Sequence, residues 1–120
     1  MTETFRPVDR FEEKLEESQL GQPSAEVLGD PIGVRSSVPF IDENHGIRSG
    51  VWEAQPGLSR WEFVDKGEII HVLEGRMIVT QDGGSPVTLE AGSGAFFPIG
   101  WKGTWEIQER IRKFFVVYAA

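Results

Sequence analysis

After Pro31 short apolar runs alternate with turn signals, and no helical periodicity is visible. The runs centre on Val51-Trp52, Trp61-Glu62-Phe63-Val64, Ile69–Leu73, Met77–Thr80, Val87–Leu89, Ala95–Phe97, Thr104–Ile107 and Lys113–Tyr118. Such spacing predicts about eight or nine short strands in a sandwich or barrel. Asp82-Gly83-Gly84-Ser85 separates two runs and reads as a hairpin turn, because glycine accepts positive φ without a Cβ clash. Pro56-Gly57 marks a second turn. Several runs are apolar on both faces, which suits strands covered inside by the barrel and outside by a second sheet or a partner subunit.

The pattern before Pro31 differs. Glu12, Glu13, Glu16 and Glu17 surround Phe11 and Leu15, which lie four apart. A short amphipathic helix over residues 9–19 is one reading, and a flexible acidic arm is the other. Gly21, Pro23, Gly29 and Pro31 then punctuate the chain. Residues 1–30 are thus expected to form an acidic arm or short helix, and residues 31–120 the barrel.

Composition narrows the chemistry. The chain has 120 residues, enough for one domain, and no cysteine, so it has neither disulfide, thiolate metal site nor cysteine nucleophile. Its formal charge of −7 would repel phosphate backbones and anionic membranes, so neither nucleic acid nor a membrane is an expected partner. No apolar run is long enough to span a bilayer, and the N-terminus lacks the basic start and apolar stretch of a signal peptide. A cytoplasmic location is expected.

Two stretches carry more than generic β pattern. One runs from Pro56 to Gly75 and ends in Glu68-Ile69-Ile70-His71-Val72-Leu73-Glu74-Gly75. The other is Gly92-Ser93-Gly94-Ala95-Phe96-Phe97-Pro98-Ile99-Gly100-Trp101-Lys102-Gly103. Together they resemble the two cupin motifs: Glu68 and Gly75 keep the spacing of the first, and Gly92, Pro98 and Gly100 that of the second. Gly50-Val51-Trp52-Glu53, Pro56-Gly57, Val72-Leu73-Glu74-Gly75, Pro98-Ile99-Gly100 and Gly103-Thr104-Trp105-Glu106 look like the ureidoglycine aminohydrolase branch. The resemblance covers roughly residues 46–118. It implies an all-β fold, a single cupin (RmlC-like jelly-roll) β-barrel, and pairing as a homodimer. Gly75 would then bridge two strands in a tight turn, and Pro98 with Gly100 would end a strand.

The resemblance also implies where a metal would sit. The four ligand places of that branch fall on Glu62, Val64, Glu68 and Gly103, and only Glu62 matches by type. Val64 and Gly103 offer no donor, and two carboxylates alone suit a transition metal poorly. No metal cofactor is therefore expected; the remaining alternative is a harder divalent cation held by carboxylates and water.

The candidate catalytic residues are Glu62 and Glu68. If they share the cavity, desolvation and mutual repulsion would hold one proton more tightly, which suits acid–base work. The expected ligand pocket comprises Glu62, Val64, Glu68, Ile70, Gly103 and Trp105, with Trp105 as its floor or wall. Such an acidic cavity favours neutral or cationic ligands over anions. Strand alternation turns His71 away from Glu68, Ile70 and Val72, and His45 lies in a polar stretch, so no imidazole is expected in the hollow. Two functions remain: a metal-free binding or regulatory module for a small polar molecule, or an enzyme related to ureidoglycine aminohydrolase acting on a small nitrogenous metabolite.

Overall fold

The computed structural model describes Thr2 and residues 15–120. Nine strands follow in order: β1 (Glu16–Gln19), β2 (Ala25–Val27), β3 (Gly33–Asp42), β4 (Ile47–Ala54), β5 (Gly57–Glu62), β6 (Lys66–Gln81), β7 (Val87–Glu90), β8 (Gly94–Phe97) and β9 (Lys102–Ala119). One 3-10 turn (Glu43–His45) joins β3 to β4. The described residues contain no α-helix.

All pairings are antiparallel, and two long strands form the spine of the sheet. One edge of β9 carries β5 along its first half and β4 along its second. Its other edge runs along β6, which in turn carries β8 and β7 end to end. The outer strands β3, β1 and β2 complete the two wings. Because the wings share their central strands, the sheet curls on itself and buries one face, as expected for an all-β barrel of jelly-roll type.

Each of the two spine strands joins two apolar runs that the sequence predicts as separate strands. Ile69–Leu73 and Met77–Thr80 lie in one strand, β6, and Thr104–Ile107 and Lys113–Tyr118 in another, β9. Gly75 is not a turn between strands. It sits inside β6 at φ 93°, where the register against β9 slips. A methyl group there would lie 2.0 Å from the Arg110 carbonyl oxygen. The glycine thus forms a bulge that bends a continuous strand. The Asp82–Ser85 turn and the break after Phe97 stand where the sequence placed them.

Glu16–Gln19 is a strand, not the end of a helix or a loose arm. It pairs residue for residue with Ser36, Arg35, Val34 and Gly33 of β3. The open edge of β3 supplies backbone partners that outweigh the helical spacing of the glutamates. The rest of the span expected for the helix, residues 9–14, falls outside the described residues. β3 carries no clear strand signal in the sequence, because its Arg35-Ser36-Ser37 centre hides the alternation.

The core fills the inner face of the sheet. Val72, Met77, Trp105, Ile107 and Ile111 are fully or almost fully buried there, with Trp61, Phe63, Phe97 and Trp101 among them. The rings form a connected stack: Trp61 lies on Trp105 at 3.9 Å, Phe63 on Phe97 at 5.7 Å, and Trp101 meets Phe97 edge-on. Aromatic contacts of these kinds add about 0.5–1.5 kcal/mol each beyond the area they bury.

Candidate functional site

Alternation along β9 places Ile111, Lys113 and Phe115 on the buried face. Lys113 is therefore a lysine at an apolar position, with its side chain only 2% exposed. Its register partners are Trp52 on β4 and Val72 on β6. Glu68, four residues before Val72 on the same face of β6, reaches it directly. Lys113 Nζ donates to Glu68 Oε2 at 2.5 Å, and the Glu68 side chain is 6% exposed.

Three indoles complete the surroundings of the ammonium. Nζ lies 4.4 Å from the Trp52 ring centre, 4.5 Å from that of Trp105 and 5.8 Å from that of Trp61. A desolvated cation–π contact is worth about 2 kcal/mol, which offsets part of the loss of water. Burial lowers the Lys113 pKa below its ordinary value, and the carboxylate of Glu68 opposes that shift.

A cavity of about 210 Å³ opens beside this pair. Trp52, Trp61, Phe63, Glu68 and Lys113 line it from the sheet. Ser18, Gln19, Leu20, Gly21 and Ser24 line it from β1 and the segment that follows, and Ser36, Glu62 and Lys66 stand on its wall. The hollow thus joins an aromatic surface to hydroxyl, amide and charged groups, the usual make-up of a small-molecule site.

The six expected pocket residues divide. Glu62 and Glu68 both line the cavity. They are not the repelling pair that was expected, since each has its own cation: Lys113 for Glu68, and Arg60 at 3.3 Å for the half-exposed Glu62. Val64 is 73% exposed and belongs to a separate outer groove with Gln22, Pro23 and Arg60. The chain turns outward after Phe63, which keeps its own ring in the core. Ile70 and Trp105 are core residues behind the wall; Trp105 backs the lining rings of Trp52, Trp61 and Phe63 and approaches the ammonium. Its Nε1 has no hydrogen-bond partner among the described residues. Gly103 does not face the cavity either. A methyl group there would lie 2.3 Å from the Thr80 carbonyl oxygen and 2.7 Å from the Trp101 ring, so its role is close strand approach.

Nor is the cavity acidic. Lys66 and Lys113 balance Glu62 and Glu68 on its lining. Neither lysine is among the pocket residues the sequence predicts; Lys113 is the one that a sequence signal could have found. The available signal was parity: Ile111, Lys113 and Phe115 share one face of an apolar strand.

At the four metal places, one residue points outward, one has no side chain, and Glu68 is occupied by an ammonium. No group of three or more His, Asp or Glu able to hold an ion occurs among the described residues. His71 is exposed, and His45 is 73% exposed and bonded to Asp42 at 2.9 Å. Both imidazoles lie away from the cavity lining, as alternation predicts for His71.

Two further charged clusters lie outside the hollow. Glu53, whose neighbour Trp52 points inward, faces outward and is buried between Arg35 and Arg110, and Arg110 also binds Glu74 at 2.9 Å. At the surface Arg60 grips Asp82 through two bonds at 3.0 and 2.7 Å, which holds the Asp82 carboxyl below its usual range.

The model of the EutQ-like cupin domain matches residues 42–115, more than half the chain. This chain belongs to the EutQ-like cupin domain family. The cupin is similar to a DUF861 protein of unknown function from Pseudomonas syringae, at 24% identity and a TM-score of 0.72 over 86% of this chain. It spans 43% of that protein's length. It is similar to the EutQ protein of Clostridium difficile at 23% identity and a TM-score of 0.63, over 74% of this chain and 70% of that one. A DUF861 protein of Thermotoga maritima is 31% identical over 54% of this chain and 73% of its own, with a TM-score of 0.51. No curated protein matches the cupin. No helix among its described residues is long and apolar enough to cross a membrane.

Proposed function

We propose that this cupin is a metal-free binding or regulatory module for a small polar molecule, held in the cavity over Lys113 and Glu68. The observation that carries the reading is the ion pair itself, withdrawn from water yet forming part of the cavity wall. A buried ion pair is a poor source of stability compared with apolar side chains of the same volume. Beside a cavity it presents one donor and one acceptor to a ligand. The charge balance of the lining narrows the ligand to one that is neutral overall, and the indoles favour an apolar portion.

Metal-free operation is supported by the donor set: an ammonium sits on the one buried carboxylate of the four ligand places. Elemental analysis of purified protein tests it, and a stoichiometric divalent ion would remove it. Thermal-shift screening of neutral ureides, amides and polyols tests the ligand class, because a ligand of the native state raises apparent stability. The expected hit raises the melting temperature of the native protein and not of Glu68→Gln. The homodimer implied by the cupin resemblance belongs to the same proposal. Sedimentation equilibrium tests it, and a single-chain mass would remove it.

A second reading is an enzyme of the ureidoglycine aminohydrolase type. It is supported by the shared sequence phrases and by Glu68 as an acid–base group in the hollow. It predicts ammonia release from a ureide, abolished in Glu68→Gln.

A further inference from the structure

We infer that the cavity captures small neutral aldehydes as imines of Lys113, with Glu68 as the proton relay. The inference rests on the reading of this cavity as a small-molecule site and names the ligand class that its lysine would take.

Three observations converge. Lys113 Nζ is within bonding distance of one proton acceptor, Glu68 Oε2, at 2.5 Å. Both residues line the cavity, so a ligand can approach the amine. The indoles of Trp52 and Trp105 lie 4.4 and 4.5 Å from Nζ, where they stabilise a cation. Burial adds to these by favouring the uncharged amine, the nucleophilic form. The other charged groups on the lining are Glu62 and Lys66. With Glu62 and Glu68 balanced by Lys66 and Lys113 on the lining, a charged group on the ligand gains no net attraction, so an uncharged aldehyde fits better.

The chemistry balances without a further reactant. Glu68 takes a proton from the Lys113 ammonium. The freed lone pair of Nζ forms a bond to the carbonyl carbon while the carbonyl π pair moves to oxygen. Glu68 protonates that oxygen, giving a carbinolamine, and then takes the second proton from nitrogen. It returns that proton to the hydroxyl, which leaves as water as the C=N bond forms. The net change is ammonium plus aldehyde to iminium plus water, with the Glu68 carboxylate restored. The iminium keeps the positive charge between Glu68 and the two indoles, so the surroundings that hold the ammonium also hold the product.

The test is reductive trapping of the native protein with propanal or benzaldehyde and cyanoborohydride, followed by intact mass and peptide mapping. The chain has four lysines, Lys14, Lys66, Lys102 and Lys113. The expected result is a fast single alkylation at Lys113, slowed on the order of a hundredfold in Glu68→Gln. Lys113→Arg, which keeps the cation and cannot form the imine, should lack the fast phase. Mapping of the native protein decides the matter even if either variant fails to fold. Alkylation confined to the other amines overturns the inference. Propanol and benzyl alcohol, which lack the carbonyl, separate it from the broader reading. Stabilisation by the alcohols without a Lys113 adduct overturns the imine and leaves the binding site standing. Neither stabilisation nor adduct overturns both.

Discussion

Lys113 and Glu68 meet 2.5 Å apart on the inner face of the barrel, and neither side chain is more than 6% exposed. The pair joins the two spine strands at the cavity lining. Its consequences are measurable because each partner can be removed alone.

Removing one partner strands a buried charge. Lys113→Met or Glu68→Gln should each lower unfolding stability by about 3–5 kcal/mol, whereas Lys113→Met with Glu68→Leu should recover most of that loss. Urea denaturation of the three variants measures it. Additive losses in the double variant would mean the two residues act separately.

The pH dependence has a definite sign. Burial lowers the Lys113 amine below 10.5 in the folded state. Between that depressed value and 10.5 the unfolded chain binds more protons at this site, so stability contributed by Lys113 rises with pH over the interval. Below the interval the penalty for the buried ammonium is fully present. The difference between native and Lys113→Met stability curves isolates this residue from the other lysines. The native protein should gain on the variant as pH rises through the interval, so the native-minus-variant difference grows; a flat or shrinking difference would contradict the assignment.

Gly75 is the next sensitive point. A side chain there meets both a positive φ and the Arg110 carbonyl. Gly75→Ala should cost at least about 1–3 kcal/mol by backbone strain alone. Its urea midpoint should fall below that of Gly83→Ala, which shares a positive φ of 79° but has open space around the new methyl group, so the difference reads the Arg110 contact.

Trp52 and Trp61 line the cavity, so a bound ligand changes their environment. Titration with any hit from the thermal screen should shift or quench tryptophan emission, saturating at the same concentration as the stabilisation. An unchanged spectrum at saturation would place the ligand elsewhere.

Local pattern carried much of the architecture. The turn at Asp82–Ser85, the strand end at Pro98 and the outward face of His71 all follow from backbone preference and period-two alternation, which depend only on neighbouring residues. Glu62 and Glu68 were legible as cavity residues through the cupin motif. The motif also drew in Val64, Ile70, Gly103 and Trp105, which the structure places on the exterior, in the core, or at a strand contact.

By itself the sequence determined an all-β chain, the positions of most of its strands, and the outward face of His71, because period-two alternation assigns a strand residue to a face by counting. Tertiary structure alone decided that Gly75 bends a strand instead of ending it, and that Glu16–Gln19 joins an open edge. It also decided that Glu68 faces an ammonium and not a second carboxylate. The last outcome depends on which residue, 45 positions away in the chain, arrives across the sheet, and the others likewise on distant partners. No local preference encodes that register.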